Sequence, residues 1–190
     1  IKEAVITMIR RILKVMTAIL TLLPKRLSLL LYELNSNTNC TWQIALRYCI
    51  VGSLCKAIGH NVYIGKRVTL KNIENITIGD NVSIHDMCYI DGYGGIKIGN
   101  NVSIAHNTSI LTSTHTWSDQ SIPIKYNQVI AGKVVIEDDV WIGCAVRILY
   151  KVTIGQRSVI AAGTVVTTNL QSGWLGAGIP MKHKKKLEDW

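Results

Sequence analysis

Residues 136–166 read IEDDVWIGCAVRILYKVTIGQRSVIAAGTVV, and an aliphatic side chain returns at every sixth place: Ile136, Ile142, Ile148, Ile154, Ile160 and Val166. A period of six fits neither the 3.6 residues of a helical turn nor the two of an isolated strand. It fits a short strand followed by a corner, repeated around a coil, which is the sequence mark of a parallel β-helix. Upstream, three triplets keep the same step internally: Ile58, Ile64, Leu70; then Ile78, Ile84, Ile90; then Ile98, Ile104, Ile110. Three steps close one triangular coil, so the triplets predict a solenoid of about five coils. The register breaks only after the third member of a triplet, so every insertion leaves from the same corner. Two of the breaks add two residues each and the third adds twenty, which predicts a protruding loop over residues 116–135. Function concentrates on long loops carried by rigid scaffolds.

The fifth positions of the hexads hold small or β-branched residues: Val62, Val68, Val82, Cys88, Val102, Thr108, Val140, Val146, Val152, Ser158 and Thr164. These are expected to join the aliphatic columns inside the prism. Gly65, Gly79, Gly99, Gly143 and Gly155 at second positions are expected to let the chain turn tightly or approach its neighbour closely.

A chain of 190 residues suits one domain with a real core. Five cysteines (Cys40, Cys49, Cys55, Cys88, Cys144) form no CxxC pair and no metal spacing; free thiols in a reducing, cytoplasmic compartment are expected. Ahead of the repeats, Val5, Ile9, Ile12, Met16, Ile19 and Leu23 recur at spacings of three and four, with Arg10, Arg11 and Lys14 between them and Pro24 as a stop. That is an amphipathic helix. Its uncharged run, Val15 to Leu23, is nine residues, where a membrane span needs about 20. More helix-like sequence follows at Leu27 to Leu34 and Trp42 to Ile58. Capping the open end of the prism or packing between subunits is the first reading of these helices. Peripheral contact of residues 1–35 with the inner face of the cell membrane is the alternative. The net charge of +9 gathers in the first helix and in the Lys182 to Lys186 segment, read as a solvated tail. No basic stripe with interleaved aromatics crosses the repeats, so nucleic acid is not an expected partner.

Several segments then carry a resemblance: STHTW at 113–117, VVIEDDVWIG at 134–143, VTIGQRSVIAAGTVVTTNL at 152–170 and GAGIPMK at 176–182. In this order and on these coils they resemble the hexapeptide-repeat acyltransferases, most of all the maltose, galactoside, nodulation-factor and bacterial polysaccharide O-acetyltransferases. The resemblance implies a left-handed parallel β-helix over residues 58–174, between a helical region at 1–57 and a basic tail at 175–190. It also implies a homotrimer with active sites between subunits, acetyl-coenzyme A as acyl donor and a saccharide hydroxyl as acceptor. The coil register independently puts His115 where the long loop departs, and the resemblance makes it the general base. His85 and Trp117 become the candidates for acceptor contact, although sugar acetyltransferases of this branch commonly carry asparagine in place of His85. For the donor, the resemblance implies Trp141, Gly143 and Cys144 at the thioester end, and Ala162 and Gly163 along the pantetheine arm. Thr167, Thr168, Lys182 and Lys185 fall toward the nucleotide; Thr168 stands where a lysine or arginine is common.

Four rival readings follow from the same residues. A γ-class carbonic anhydrase would use zinc, but His85 and His106 on successive coils lack a third ligand, so no metal is expected. Cys144 could carry the acetyl group covalently, yet no second base accompanies it. An antibiotic-type small-molecule acetyltransferase, or a noncatalytic β-helix scaffold, would share the fold.

Overall fold

The computed structural model describes residues 2–189; Ile1 and Trp190, the outer limits of the expected helical region and tail, lie outside the described residues. Three helices come first: α1 (Lys2–Leu20), α2 (Lys25–Leu34) and α3 (Thr41–Leu54). Pro24 separates α1 from α2 and stands as the N-cap of α2, where its missing N–H costs nothing. Helix α3 is shorter than its sequence suggests, because Ala57–Ile58 already pairs as the first strand of the solenoid.

The three helices close the first coil. Arg47 of α3 is completely buried, and a buried guanidinium is tolerable only when its N–H groups are all matched. It donates to the carbonyls of Ile64 at 2.9 Å, Asn35 at 2.8 Å and Thr38 at 2.7 Å and to Oδ1 of Asn39 at 2.8 Å. One side chain thus ties the α2–α3 linker to the first coil. From α2, the Tyr32 hydroxyl donates to the carbonyl of Val68 at 2.8 Å.

The rest of the chain winds as a parallel β-solenoid with three sheets. One holds Ala57–Ile58, Ile76–Ile78, Ile96–Ile98, Val134–Ile136 and Thr153–Ile154; the second Tyr63–Ile64, Ser83–Ile84, Ser103–Ile104, Trp141–Ile142, Val159–Ile160 and Trp174–Ala177; the third Thr69–Lys71, Tyr89–Asp91, Ser109–Leu111, Arg147–Ile148 and Val165–Val166. Ladders run Ile58↔Ile78↔Ile98↔Ile136↔Ile154 on the first sheet, with the other two in step. All eleven fifth-position residues are buried, together with the aliphatic columns except Ile58 and Leu70 of the first coil, which are half-buried. Each fully buried isoleucine contributes about 1.5–3 kcal/mol of transfer free energy, so the repeated column is the main source of the fold's stability.

The expected five coils become about six turns, the last incomplete. Leu170 bridges to Ile154, and Leu175 and Gly176 pair with Val159 and Ile160, but among the described residues no further strand continues the third sheet. Nor is the Lys182–Lys186 segment a solvated tail: it pairs antiparallel with Trp174–Ala177 and closes the edge of the second sheet.

The corners show where the turning happens. Three residues after most inward aliphatics, though not after Leu70, Ile90, Ile110 or Val166, the backbone takes the left-handed conformation: Asn61, Asn81, Asn101, Asn107 and Asp139 have φ between 55° and 59°, and Arg67, Met87, Ala145, Lys151 and Arg157 do the same. Asparagine and aspartate tolerate this region better than other L-residues. The second-position glycines serve close approach instead. A Cβ on Gly143 would lie 2.6 Å from the backbone nitrogen of Ala162 on the next rung, so a side chain there would push two rungs apart. At another corner, Asp138 accepts from the backbone N–H of Asn100 at 2.8 Å, and Asn100 from that of Asp80 at 2.8 Å. The Asn100 backbone and side-chain N–H groups hold the Asp138 carboxyl below the usual carboxylate range.

Candidate functional site

The predicted loop begins earlier and ends earlier than its spacing suggests, because Val134 and Val135 are already in the solenoid. It is a hairpin whose stems, Ser113–His115 and Val129–Ala131, pair antiparallel. Its base is fixed by Thr112, which is fully buried. The Thr112 hydroxyl donates to the carbonyl of Asp91 at 2.7 Å and accepts from the N–H of Gly94 at 2.7 Å, and its carbonyl accepts from Gly132 N–H at 2.9 Å. His115 ends the outgoing stem, opposite Val129, with its ring exposed.

Asn127, which sequence reasoning passed over, braces this hairpin. It is 5% exposed, and its side-chain amide spans the loop, accepting from Asp119 N–H at 3.0 Å and donating to the Asp119 carbonyl at 3.0 Å. Its own carbonyl faces Nδ1 of His115 at 3.4 Å. A carbonyl can only accept, so it favours the tautomer with the proton on Nδ1 and leaves the Nε2 lone pair directed outward. At the loop's crest, Ser121 donates through its backbone and hydroxyl to Asp119, keeping that carboxyl below its usual range. Trp117 is 72% exposed and Tyr126 69%.

The second element is an apolar groove of about 730 Å³ at the corner between the second and third sheets. It collects Trp141, Gly143, Cys144 and Ala162, four of the residues expected to meet the donor, and adds His106, Val159 and Leu175. His106, considered above only as a metal ligand, is brought beside Trp141 and Cys144 by the stacking of rungs. Gly163, next to the groove, has φ +70 and open space where a Cβ would stand, and its N–H donates to the Cys144 carbonyl at 2.9 Å. Lys182 and Lys185 lie on the closing strand, Lys185 opposite the groove residue Leu175. Thr167 and Thr168 sit exposed beyond the last strand of the third sheet.

His115, His85 and Trp117 do not line this groove. His85 occupies the groove's corner nearer the helices, its ring 5.6 Å from that of Tyr63. His115 is at the next corner around the prism. One face separates the two corners, on the order of 15–20 Å at about 3.3 Å per residue. A second hollow, of about 410 Å³ between α2 and the first coil, contains none of the expected site residues. Among the described residues no group of three or more metal-ligating side chains converges.

With this geometry in hand, comparison with known proteins is informative. The family model for the bacterial transferase hexapeptide (six repeats) matches residues 133–168. A hexapeptide-repeat acetyltransferase from Vibrio cholerae O1 biovar eltor, solved in complex with acetyl-coenzyme A, is 30% identical with a TM-score of 0.76, over 86% of this chain and 87% of that one. The chain belongs to the hexapeptide-repeat acyltransferases. Its solenoid is accordingly the left-handed parallel β-helix of that family. Two further relatives of this acyltransferase come from Escherichia coli. The galactoside O-acetyltransferase of strain K12 is 29% identical over 161 residues, 84% of this chain and 77% of the relative. A dTDP-4-amino-4,6-dideoxy-D-glucose acyltransferase is 29% identical over 164 residues, 70% of this chain and 85% of the relative.

Proposed function

We propose that this acyltransferase moves an acetyl group from acetyl-coenzyme A to a saccharide hydroxyl, of a surface polysaccharide or its precursor, with His115 as general base. The observation that carries the reading is the separation of an exposed, carbonyl-oriented histidine from an apolar groove by one face of the prism. The two halves cannot meet within one chain. They can meet when the groove of one subunit lies against the hairpin corner of the next, which supports a cyclic homotrimer.

The chemistry then follows from the residues. Nε2 of His115 accepts the hydroxyl proton as the acceptor oxygen attacks the thioester carbonyl carbon. The tetrahedral adduct breaks its C–S bond, and the imidazolium returns its proton to the departing thiolate. A groove with little polar surface suits the pantetheine arm, and lysines on the closing strand suit the phosphates. Exposed Trp117 and Tyr126 offer flat faces on which a sugar ring can stack. The test is thiol release from acetyl-coenzyme A across a panel of hydroxyl and amino sugars. Release with a hydroxyl sugar is the expected result; release with amino sugars alone would make this an N-acyltransferase, and none with any acceptor would point to a scaffold.

Three expected outcomes refine the site. Asn127→Ala should lower kcat by roughly ten- to a hundredfold, the scale of small misplacements of a catalytic group, while donor affinity stays unchanged in calorimetric titration. Thiol labelling tests the groove. Burial pushes the Cys55 and Cys88 thiols up to about 11, which leaves them protonated and slow to react near neutral pH. Iodoacetamide should therefore modify exposed Cys40 and half-buried Cys144, and acetyl-coenzyme A should shield Cys144 but not Cys40. Cys144→Ala should retain activity, since the mechanism gives that thiol no chemical step.

A further inference from the structure

The N-terminal helices carry an apolar surface that the fold does not use. Of the 23 exposed large hydrophobic residues among the described residues, 13 lie between Val5 and Trp42. On α1 they are ordered: Val5, Met8, Ile12, Val15 and Ile19 succeed one another at spacings of three and four, one continuous stripe, and are 43–59% exposed. The side of α1 that packs on the molecule is a different one. Leu13, Thr17 and Leu20 are its half-buried residues; Thr17 lies against Gly52 of α3, where a Cβ would come within 3.1 Å of its methyl, and Cys49 of α3 donates to the Leu13 carbonyl at 3.5 Å. The apolar stripe therefore faces away from the contact that anchors the helix.

The charge around the stripe says what covers it. Arg11 borders it, and Lys14 and Arg10 follow on the polar side of the same helix; Arg26 opens α2 beside Lys25, which pairs with Glu74 at 3.0 Å. Between residues 2 and 35 the acidic side chains are Glu3 and Glu33 alone. A second copy of the helix would bring like charges together across the contact. Anionic phospholipid headgroups would meet the same cations favourably, while the stripe sank into the interface. No described helix is long and apolar enough to cross a membrane.

We infer that α1 lies flat on the surface of a bilayer containing anionic phospholipid, its Val5–Ile19 stripe inserted and Arg10, Arg11 and Lys14 held at headgroup level. The inference does not depend on the acetyl-transfer reading. It is tested by co-sedimentation of the full chain with vesicles of phosphatidylcholine alone and with phosphatidylglycerol added. The wild type should pellet with the phosphatidylglycerol vesicles and stay in solution with the others. Arg10→Gln/Arg11→Gln/Lys14→Gln should lower partitioning by roughly a hundredfold, at about 1 kcal/mol for each cation. Ile12→Gln/Val15→Gln should abolish it with an unchanged circular dichroism spectrum, since neither residue supports the core. Wild-type protein that stays in solution with both vesicle types would overturn the inference. So would an apolar variant that binds vesicles as the wild type does but elutes as a smaller species, which would assign the stripe to a contact between copies.

Discussion

His115→Ala is expected to lower turnover by roughly 10²- to 10⁴-fold, the contribution typical of a general base, while acetyl-coenzyme A should bind as before. The split between the two effects is what identifies the role. His115 stands on the hairpin and is absent from the groove, so removing its imidazole leaves the groove's own lining intact. The substitution also spares the fold: the ring is exposed, and the hairpin keeps its stem pairing, its Thr112 anchor and its Asn127 brace. A stopped assay of thiol release and a calorimetric titration on the same preparation read both quantities. Full turnover in the variant would remove His115 from the mechanism.

Ala162→Arg is expected to have the complementary effect. Ala162 lines the groove and is exposed, so a long side chain there projects into the space proposed for the donor without entering the core. Its backbone is closely packed against Gly143, which fixes where that side chain emerges. Donor affinity is expected to fall tenfold or more, about 1.4 kcal/mol or above, with the melting temperature unchanged. Unaltered donor binding in a folded variant would place the coenzyme elsewhere, and the hollow beside α2 would become the next surface to test.

Much of this was legible in the hexads. An inward column of isoleucine and valine is specified by side chains six apart, each needing only its own rung, so faces, corners and the point where the loop departs could be counted along the chain. What the count missed lies where that periodicity stops or where the informative neighbours are far apart. The sixth turn escaped because the step from Val166 to Leu170 is four residues and a glycine, Gly176, takes the inward place above Ile160. The closing strand escaped because KHKKK has no alternation of apolar and polar residues: it is exposed along its whole length and is held by backbone pairing to Trp174–Ala177. Asn127 carries no local signature. Its importance arises from a hairpin that folds it back across twelve residues onto His115. His106 likewise gains its place in the groove only through stacking on rungs 38 residues or so further along the chain.

The division of the site between two corners can be tested by mixing subunits. With the donor held well below saturation, His115→Ala and Ala162→Arg are each expected to be at least tenfold less active than the wild type alone, one lacking the base and the other binding the donor weakly. If a site is built from the hairpin of one subunit and the groove of the next, co-refolding the two variants in equal amounts restores about a quarter of the sites, those that pair an intact hairpin with an intact groove in a cyclic assembly. Thiol release at about a quarter of the wild-type rate is the predicted result. A mixture no more active than either variant by itself would contradict the shared site and the assembly that it requires.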